Sequence, residues 1–195
     1  MIYHGGTYYL GGSCVDADDK EWIQLVNTYP FLYPVEIFDQ LTKKFRVLPA
    51  MSVSRAHARM ESLGKYLYII GGQSDDEEGT FQKSVEAYDP EENTWSDVAD
   101  MNEPHEDCLS VTYDGLLYVF GGRSNDQISR QSFECYNPET NKWTVLEPLC
   151  PNNINDWSDW DIVAADGWII VRETKTLTFI DITLTKGNGN LRSKR

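Results

Sequence analysis

An all-β fold assembled from repeated four-stranded antiparallel sheets is what this 195-residue sequence predicts, on three observations. Paired glycines recur at Gly11-Gly12, Gly71-Gly72 and Gly121-Gly122, each closing a short apolar run with a tyrosine three residues before the first glycine: Tyr8, Tyr68 and Tyr118. A second block repeats as Val35-Glu36-Ile37-Phe38-Asp39, Val85-Glu86-Ala87-Tyr88-Asp89 and Phe133-Glu134-Cys135-Tyr136-Asn137, at offsets of 50 and 48. Phe45, Trp95 and Trp143, followed by Met51, Met101 and Leu149, keep the same two offsets. Self-similarity at one period marks an architecture whose units need their neighbours to bury their faces.

The strands of one period, lettered A to D, follow from local chemistry. The weakest candidate is A, Ala56 to Ser62 in the second period and Asp107 to Tyr113 in the third. Strand B is the aromatic and β-branched run Tyr66-Leu67-Tyr68-Ile69-Ile70, or Leu116-Leu117-Tyr118-Val119-Phe120. It ends at a glycine pair, where the chain can take φ > 0 and leave the sheet without a Cβ clash. Strand C is the Val-Glu-x-Tyr block, stopped by Asp89-Pro90 or Asn137-Pro138 and polar turn residues, and D restarts near Trp95 or Trp143. Periods of about 50 residues holding four strands each predict propeller blades.

The Gly-Gly pair preceded by Tyr, the V-E-x-Y-D-P block, the N-x-W block and a Met followed four residues later by a basic residue (Met51 to Arg55, Met101 to His105) together resemble the kelch repeat, above all that of the kelch-like family. The expected organisation is kelch blades over 1–51, 52–101, 102–149 and 150–185, then a basic tail, 186–195, read as disordered. The middle two blades are complete. The first lacks an A strand; in the fourth, Glu173-Thr174 stands where the glycine pair belongs, and no Trp-bearing D strand follows Leu177 to Asp181. Kelch-like propellers are similar in closing six blades with strands from both termini. The chain therefore reads as part of a larger propeller, with self-association or an atypical four-bladed ring as the alternatives, because an unclosed array exposes apolar faces and strand edges. The BTB domain that precedes kelch repeats in that family is not in this sequence.

Composition removes several function classes. The net charge of −14 makes the chain a poor binder of phosphate backbones, so no nucleic-acid partner is expected. No run approaches the roughly 20 apolar residues of a membrane span, and the N-terminus lacks the basic and apolar regions of a signal peptide. Four cysteines, Cys14, Cys108, Cys135 and Cys150, form no C-x-x-C pair, and N-x-[ST] acceptors are lacking; both features point to the cytoplasm. No P-loop, G-x-S-x-G, H-E-x-x-H or dinucleotide fingerprint is present, and His4, His57 and His105 are scattered over three periods. The chain is read as a non-enzyme without cofactor or metal, and its thiols as inert.

Residues repeated in every well-formed period read as architectural: Gly11, Gly12, Gly71, Gly72, Gly121, Gly122, Tyr8, Tyr68, Tyr118, Trp95 and Trp143. Function is sought where the repeats differ. From glycine pair to D-strand aromatic the first period has 33 residues, Gly12 to Phe45, against 23 and 21 in the next two, and its inserted B-to-C loop carries Trp22 among acids. The second B-to-C loop contains Asp75-Asp76-Glu77-Glu78. Arg55, His105, Arg123 and Arg130 fall in loops on the same face. An exposed surface of mixed charge suits recognition of a peptide segment. Two readings stand for Arg55, a partner-facing cation at the mouth or one half of a structural ion pair, and the acidic tracts read equally as solvated loops.

What the resemblance implies is a protein-interaction module recognising substrate for a cullin-type ubiquitin ligase, with BTB protein and cullin reached through another domain or chain. Actin or cytoskeleton binding is the alternative. Kelch-containing oxidases and sugar mutarotases are a third class, which needs a metal constellation or channel-lining acid and base not visible in the sequence.

Overall fold

The computed structural model describes residues 2–4, 7–10, 35–39, 43–74, 78–123, 132–146, 159–165, 168–175, 179–184 and 191–194. All regular structure among them is β, in four antiparallel sheets of four strands and one two-stranded pair. No helix is long and apolar enough to cross a membrane.

The first sheet runs β1 (Ile2–His4), β2 (Thr7–Leu10), β3 (Glu36–Asp39), β4 (Lys44–Val47). In the second, β6 (Arg59–Leu63), β7 (Tyr66–Ile70), β9 (Val85–Asp89) and β10 (Thr94–Asp97) pair in that order, while β5 (Arg55–Ala56) pairs with β8 (Gln73–Ser74). The third is β11 (Leu109–Tyr113), β12 (Leu116–Phe120), β13 (Phe133–Asn137), β14 (Lys142–Val145); the fourth is β15 (Trp160–Ala165), β16 (Trp168–Glu173), β17 (Phe179–Leu184), β18 (Leu191–Lys194). The expected A to D order holds in the second and third periods. Tyr68 opposes Ala87 and Tyr118 opposes Cys135, so the two sheets share one register.

Both outer sheets are fuller than the sequence suggested. The first has an innermost strand after all, since Ile2–His4 pairs with Thr7–Leu10. In the fourth, Leu191 opposes Leu184 and Lys194 opposes Asp181, so part of the tail expected to be disordered is the outermost strand. The reason is that backbone pairing along the edge of β17 needs no tryptophan.

Hydrophobic cores lie between sheets. Side chains alternate along each B strand, so Leu67 and Ile69 join Val35, Ile37, Leu48 and Tyr88 between the first and second sheets. Tyr68 and Ile70 point the other way and meet Leu117, Val119 and Tyr136 of the third sheet. Tyr118 and Phe120 in turn pack on Ile169 and Val171 of the fourth. Burying such a side chain contributes about 1.5–3 kcal/mol, which no sheet obtains alone. The innermost strands stand side by side, β1 by β6, β6 by β11 and β11 by β15; among the described residues no comparable contact returns from β15 to β1.

Trp95 and Trp143 tie each sheet to the one before. The indole of Trp95 donates from Nε1 to the Pro49 carbonyl (2.9 Å) and that of Trp143 to the Ala99 carbonyl (2.8 Å). Their rings lie 5.1 Å from those of Tyr88 and Tyr136, whose hydroxyls donate to Asn93 and Asn141. Both asparagines have left-handed backbones (φ 55° and 50°), a conformation Asn tolerates in tight turns. Asp89 and Asn137 cap the preceding turns, each accepting from two following amides.

Candidate functional site

At the ends of the B strands the chain makes its closest approaches. Gly72 and Gly122 both have φ of 92°. A Cβ there would lie 2.5 Å from the Ala56 carbonyl oxygen in one case and 2.6 Å from that of Glu106 in the other. The segment arriving from strand D therefore crosses directly over the glycine pair. It is pinned there by backbone bonds: β5 pairs with β8 in the second period, and Glu106 exchanges two backbone hydrogen bonds with Arg123 in the third.

Beneath these crossings each period buries a glutamate against a basic side chain, Glu86 with Arg55 and Glu134 with His105. Glu86 accepts from the amides of Ser52 (2.7 Å) and Val53 (3.3 Å) and pairs with the Arg55 guanidinium at 2.8 Å. Arg55 further donates to the carbonyls of Val53, Gly71 and Ser84. One period on, Glu134 accepts from the amides of Asn102 and Glu103 and the Asn102 side chain. His105 Nε2 lies 3.4 Å from Glu134 and 3.0 Å from Ser132 Oγ, and Nδ1 donates to the Gly121 carbonyl. Burial pushes the Glu134 carboxyl up, but His105 and the Asn102 and Glu103 donors outweigh it and hold the carboxyl below its ordinary value. Burial lowers the Arg55 pKa against the pull of Glu86.

Arg55 and His105 consequently do not reach a partner from the mouth: they are 3% and 0% exposed, and their donors are spent inside the fold. For Arg55 the ion-pair reading is the one the structure bears out. The sequence signal for this clamp was the glutamate repeating at Glu36, Glu86 and Glu134, at or one residue into the start of each C strand. A charge recurring at fixed period in a strand is as architectural as a glycine.

Above the clamp lies an exposed, mixed-charge patch spanning the second and third sheets. Arg123, its side chain 57% exposed, donates to Glu106 (3.2 Å) and Asp107 (2.8 Å), and His57 Nδ1 stands 3.4 Å from Asp107. His57 and Asp107 occupy equivalent positions one period apart, both with left-handed backbones (φ 54° and 51°), and Asp107 N–H donates to the His57 carbonyl. Of the sequence-predicted residues, Arg123 belongs to this patch and Glu78 is exposed on the neighbouring loop. Trp22, Asp75, Asp76, Glu77, Arg130, Gly11 and Gly12 lie outside the described residues, and Tyr8 is placed only by its backbone on β2. Asp107 was legible as one of the D-to-A loop acids on this face, but its pairing with His57 was not, because only the fold brings the two together.

One acid escaped sequence reading. Glu61 sits on the innermost strand β6, where Ser110 of β11 donates to it at 2.7 Å. Burial raises its carboxyl pKa, with the Ser110 hydroxyl and Arg59 opposing. Arg59 itself donates to the Cys108 carbonyl. Burial also pushes the Cys108 thiol up to about 12 and Cys135 to about 11, which suppresses the thiolate in both.

The repeats of this geometry match a known motif: the family model for the Kelch motif covers residues 54–102 and 106–149, the second and third sheets with their crossing segments. These repeats are kelch repeats. Beta-scruin of Limulus polyphemus is 28% identical over 156 residues, 76% of this chain and 16% of that protein. Kelch-like protein 23 of Homo sapiens is 38% identical over 84 residues, 43% of this chain and 14% of its own length. An F-box/kelch-repeat protein of Arabidopsis thaliana is 30% identical over 107 residues, 54% of this chain and 28% of that one. The chain thus spans less than a third of these curated relatives. The solved structure of YjhT superposes with a TM-score of 0.64 at 16% identity, over 83% of this chain and 58% of that one, which is a likeness of fold. The chain therefore carries two kelch motifs and has the fold of a partial β-propeller.

Proposed function

We propose that the chain is a protein-interaction module whose loop face holds a peptide segment of a partner, and that it serves as the substrate-recognition part of a cullin-type ubiquitin ligase adaptor in the cytoplasm. The observation carrying this reading is the Arg123, Asp107 and His57 patch: exposed, of both signs, and mounted on a clamp that fixes its backbone. Mixed charge on a rigid platform favours specificity for a segment carrying the complementary pattern. Similarity to kelch-like protein 23 and to an F-box/kelch-repeat protein supports the adaptor role. The free thiols of Cys108 and Cys135 suit a reducing compartment.

The test is quantitative affinity purification from cells of the chain and of an Asp107→Asn, Arg123→Gln double variant. Both positions are exposed, so the variant keeps its melting temperature. Partners depleted roughly tenfold in the variant, with a cullin or BTB protein retained, are the expected result. Equal recovery of every partner would remove the patch from the site. Absence of cullins and BTB proteins, with co-sedimentation on actin filaments, would replace the adaptor reading by the cytoskeletal one.

A further inference from the structure

The patch between the second and third sheets holds a mixed set of metal-ligand types. A ring nitrogen of His57 and one carboxylate oxygen each of Glu106 and Asp107 lie within 4.8 Å of one another, the one group of three His, Cys, Asp or Glu side chains so placed among the described residues. The histidine comes from one period and the two acids from the next, so no ligand spacing along the chain announces the set.

Glu106 is not a demand of the fold. Its equivalent one period earlier is Ala56, and the equivalent of Arg123 is Gln73, so the crossing over a glycine pair forms without an acid or a cation at these positions. The Glu106 side chain is nevertheless only 5% exposed. Its Oε2 faces Arg123 Nε at 3.2 Å, while Oε1 has no hydrogen-bond donor among the described residues. Burying a carboxylate so thinly satisfied is costly, and Asp107 beside it leaves two carboxylates facing the single guanidinium of Arg123. A divalent cation seated between them balances both.

We propose that His57, Glu106 and Asp107 form a binding site for a divalent transition metal, with zinc as the ion that fits. One imidazole with two carboxylates is a zinc donor set, whereas calcium and magnesium take oxygen ligands. Ligands held at roughly 2.0–2.2 Å in a tetrahedron stand about 3.4 Å apart. His57 Nδ1 and Asp107 Oδ1 are already 3.4 Å apart. Both are half-exposed and approach Glu106 by side-chain rotation, while Glu106 is held at its backbone by two bonds to Arg123. The Arg123 side chain, 57% exposed, swings into solvent as the ion takes its place on the carboxylates. The fourth position is left to water. This site concerns the chain by itself and does not rest on the partner-binding reading.

Zinc titrated calorimetrically into the 195-residue chain, with no partner present, is the test. A saturable site that excess calcium does not displace is expected. His57→Asn tolerates the left-handed backbone and removes the imidazole; it and Glu106→Gln are each expected to weaken zinc binding by about tenfold or more. Arg123→Gln is expected to act in the opposite direction, tightening zinc by about two- to fivefold, because the ion no longer displaces an exposed ion pair. Circular dichroism of each metal-free variant reports whether the fold is intact, and His57→Asn, altered at an exposed side chain, decides the matter by itself should Glu106→Gln fail to fold. The lack of a saturable zinc site, displacement by calcium, unchanged affinity in His57→Asn, or weaker binding in Arg123→Gln would each overturn the metal site.

Discussion

Two carboxylates one period apart, Glu86 and Glu134, each gather amide donors from the crossing segment and a basic side chain beneath it. A buried charge so held is costly to break. Glu134→Ala leaves the Asn102 and Glu103 amides and His105 without their acceptor, and a loss of about 3–5 kcal/mol in urea unfolding is expected, against less than about 1 for Arg123→Ala at the exposed pair. The pH dependence has a definite sign. Because the folded Glu134 carboxyl lies below its unfolded value of about 4.3, its contribution is complete above that pH and is lost as pH falls through the folded value. Glu134→Gln should flatten the acid limb of stability. Glu61 has the opposite sign: with its folded pKa raised, its relative contribution is present below the unfolded value and lost as pH rises through the folded one. Glu61→Gln is therefore expected to raise the melting temperature at pH 7, the gain closing on acidification.

At the scale of the element, the crossing over the glycine pair sets the shape of the loop face. Gly122→Val combines a left-handed φ with a Cβ 2.6 Å from a backbone oxygen that cannot step aside. The expected cost exceeds about 2 kcal/mol in chemical denaturation, with the Arg123 patch displaced along with the strand that carries it. Strand type and order in the two middle sheets were legible because alternation, glycine pair and Asx turn agree at every step. The short β1 and the pairing of Leu191–Lys194 were not, because an edge strand held by backbone bonds needs no distinctive side chains. Arg55 and His105 were legible as special positions but not in direction. Spacing placed them at the mouth, whereas the glutamate facing them turned them inward.

For the whole molecule, stability is shared between neighbouring sheets. The core formed by Leu109, Tyr118, Phe120 and Phe133 is completed by Ile169 and Val171 from the fourth sheet. Removing residues 150–195 is expected to expose that face, giving a chain that binds a hydrophobic dye and loses a cooperative thermal transition; a sharp, unchanged transition would contradict nearest-neighbour stabilisation. The repeat period, the four-strand unit and the aromatic posts were determined by sequence alone, since each is a local demand renewed about every 50 residues. Which polar side chains face solvent was decided only in the tertiary structure. The same loops carry Arg55 and His57, or His105 and Asp107, two residues apart; one of each pair is buried on a glutamate from a later strand and the other joins the exposed patch. That division depends on partners 16 to 50 residues away, brought together by the packing of one sheet on the next.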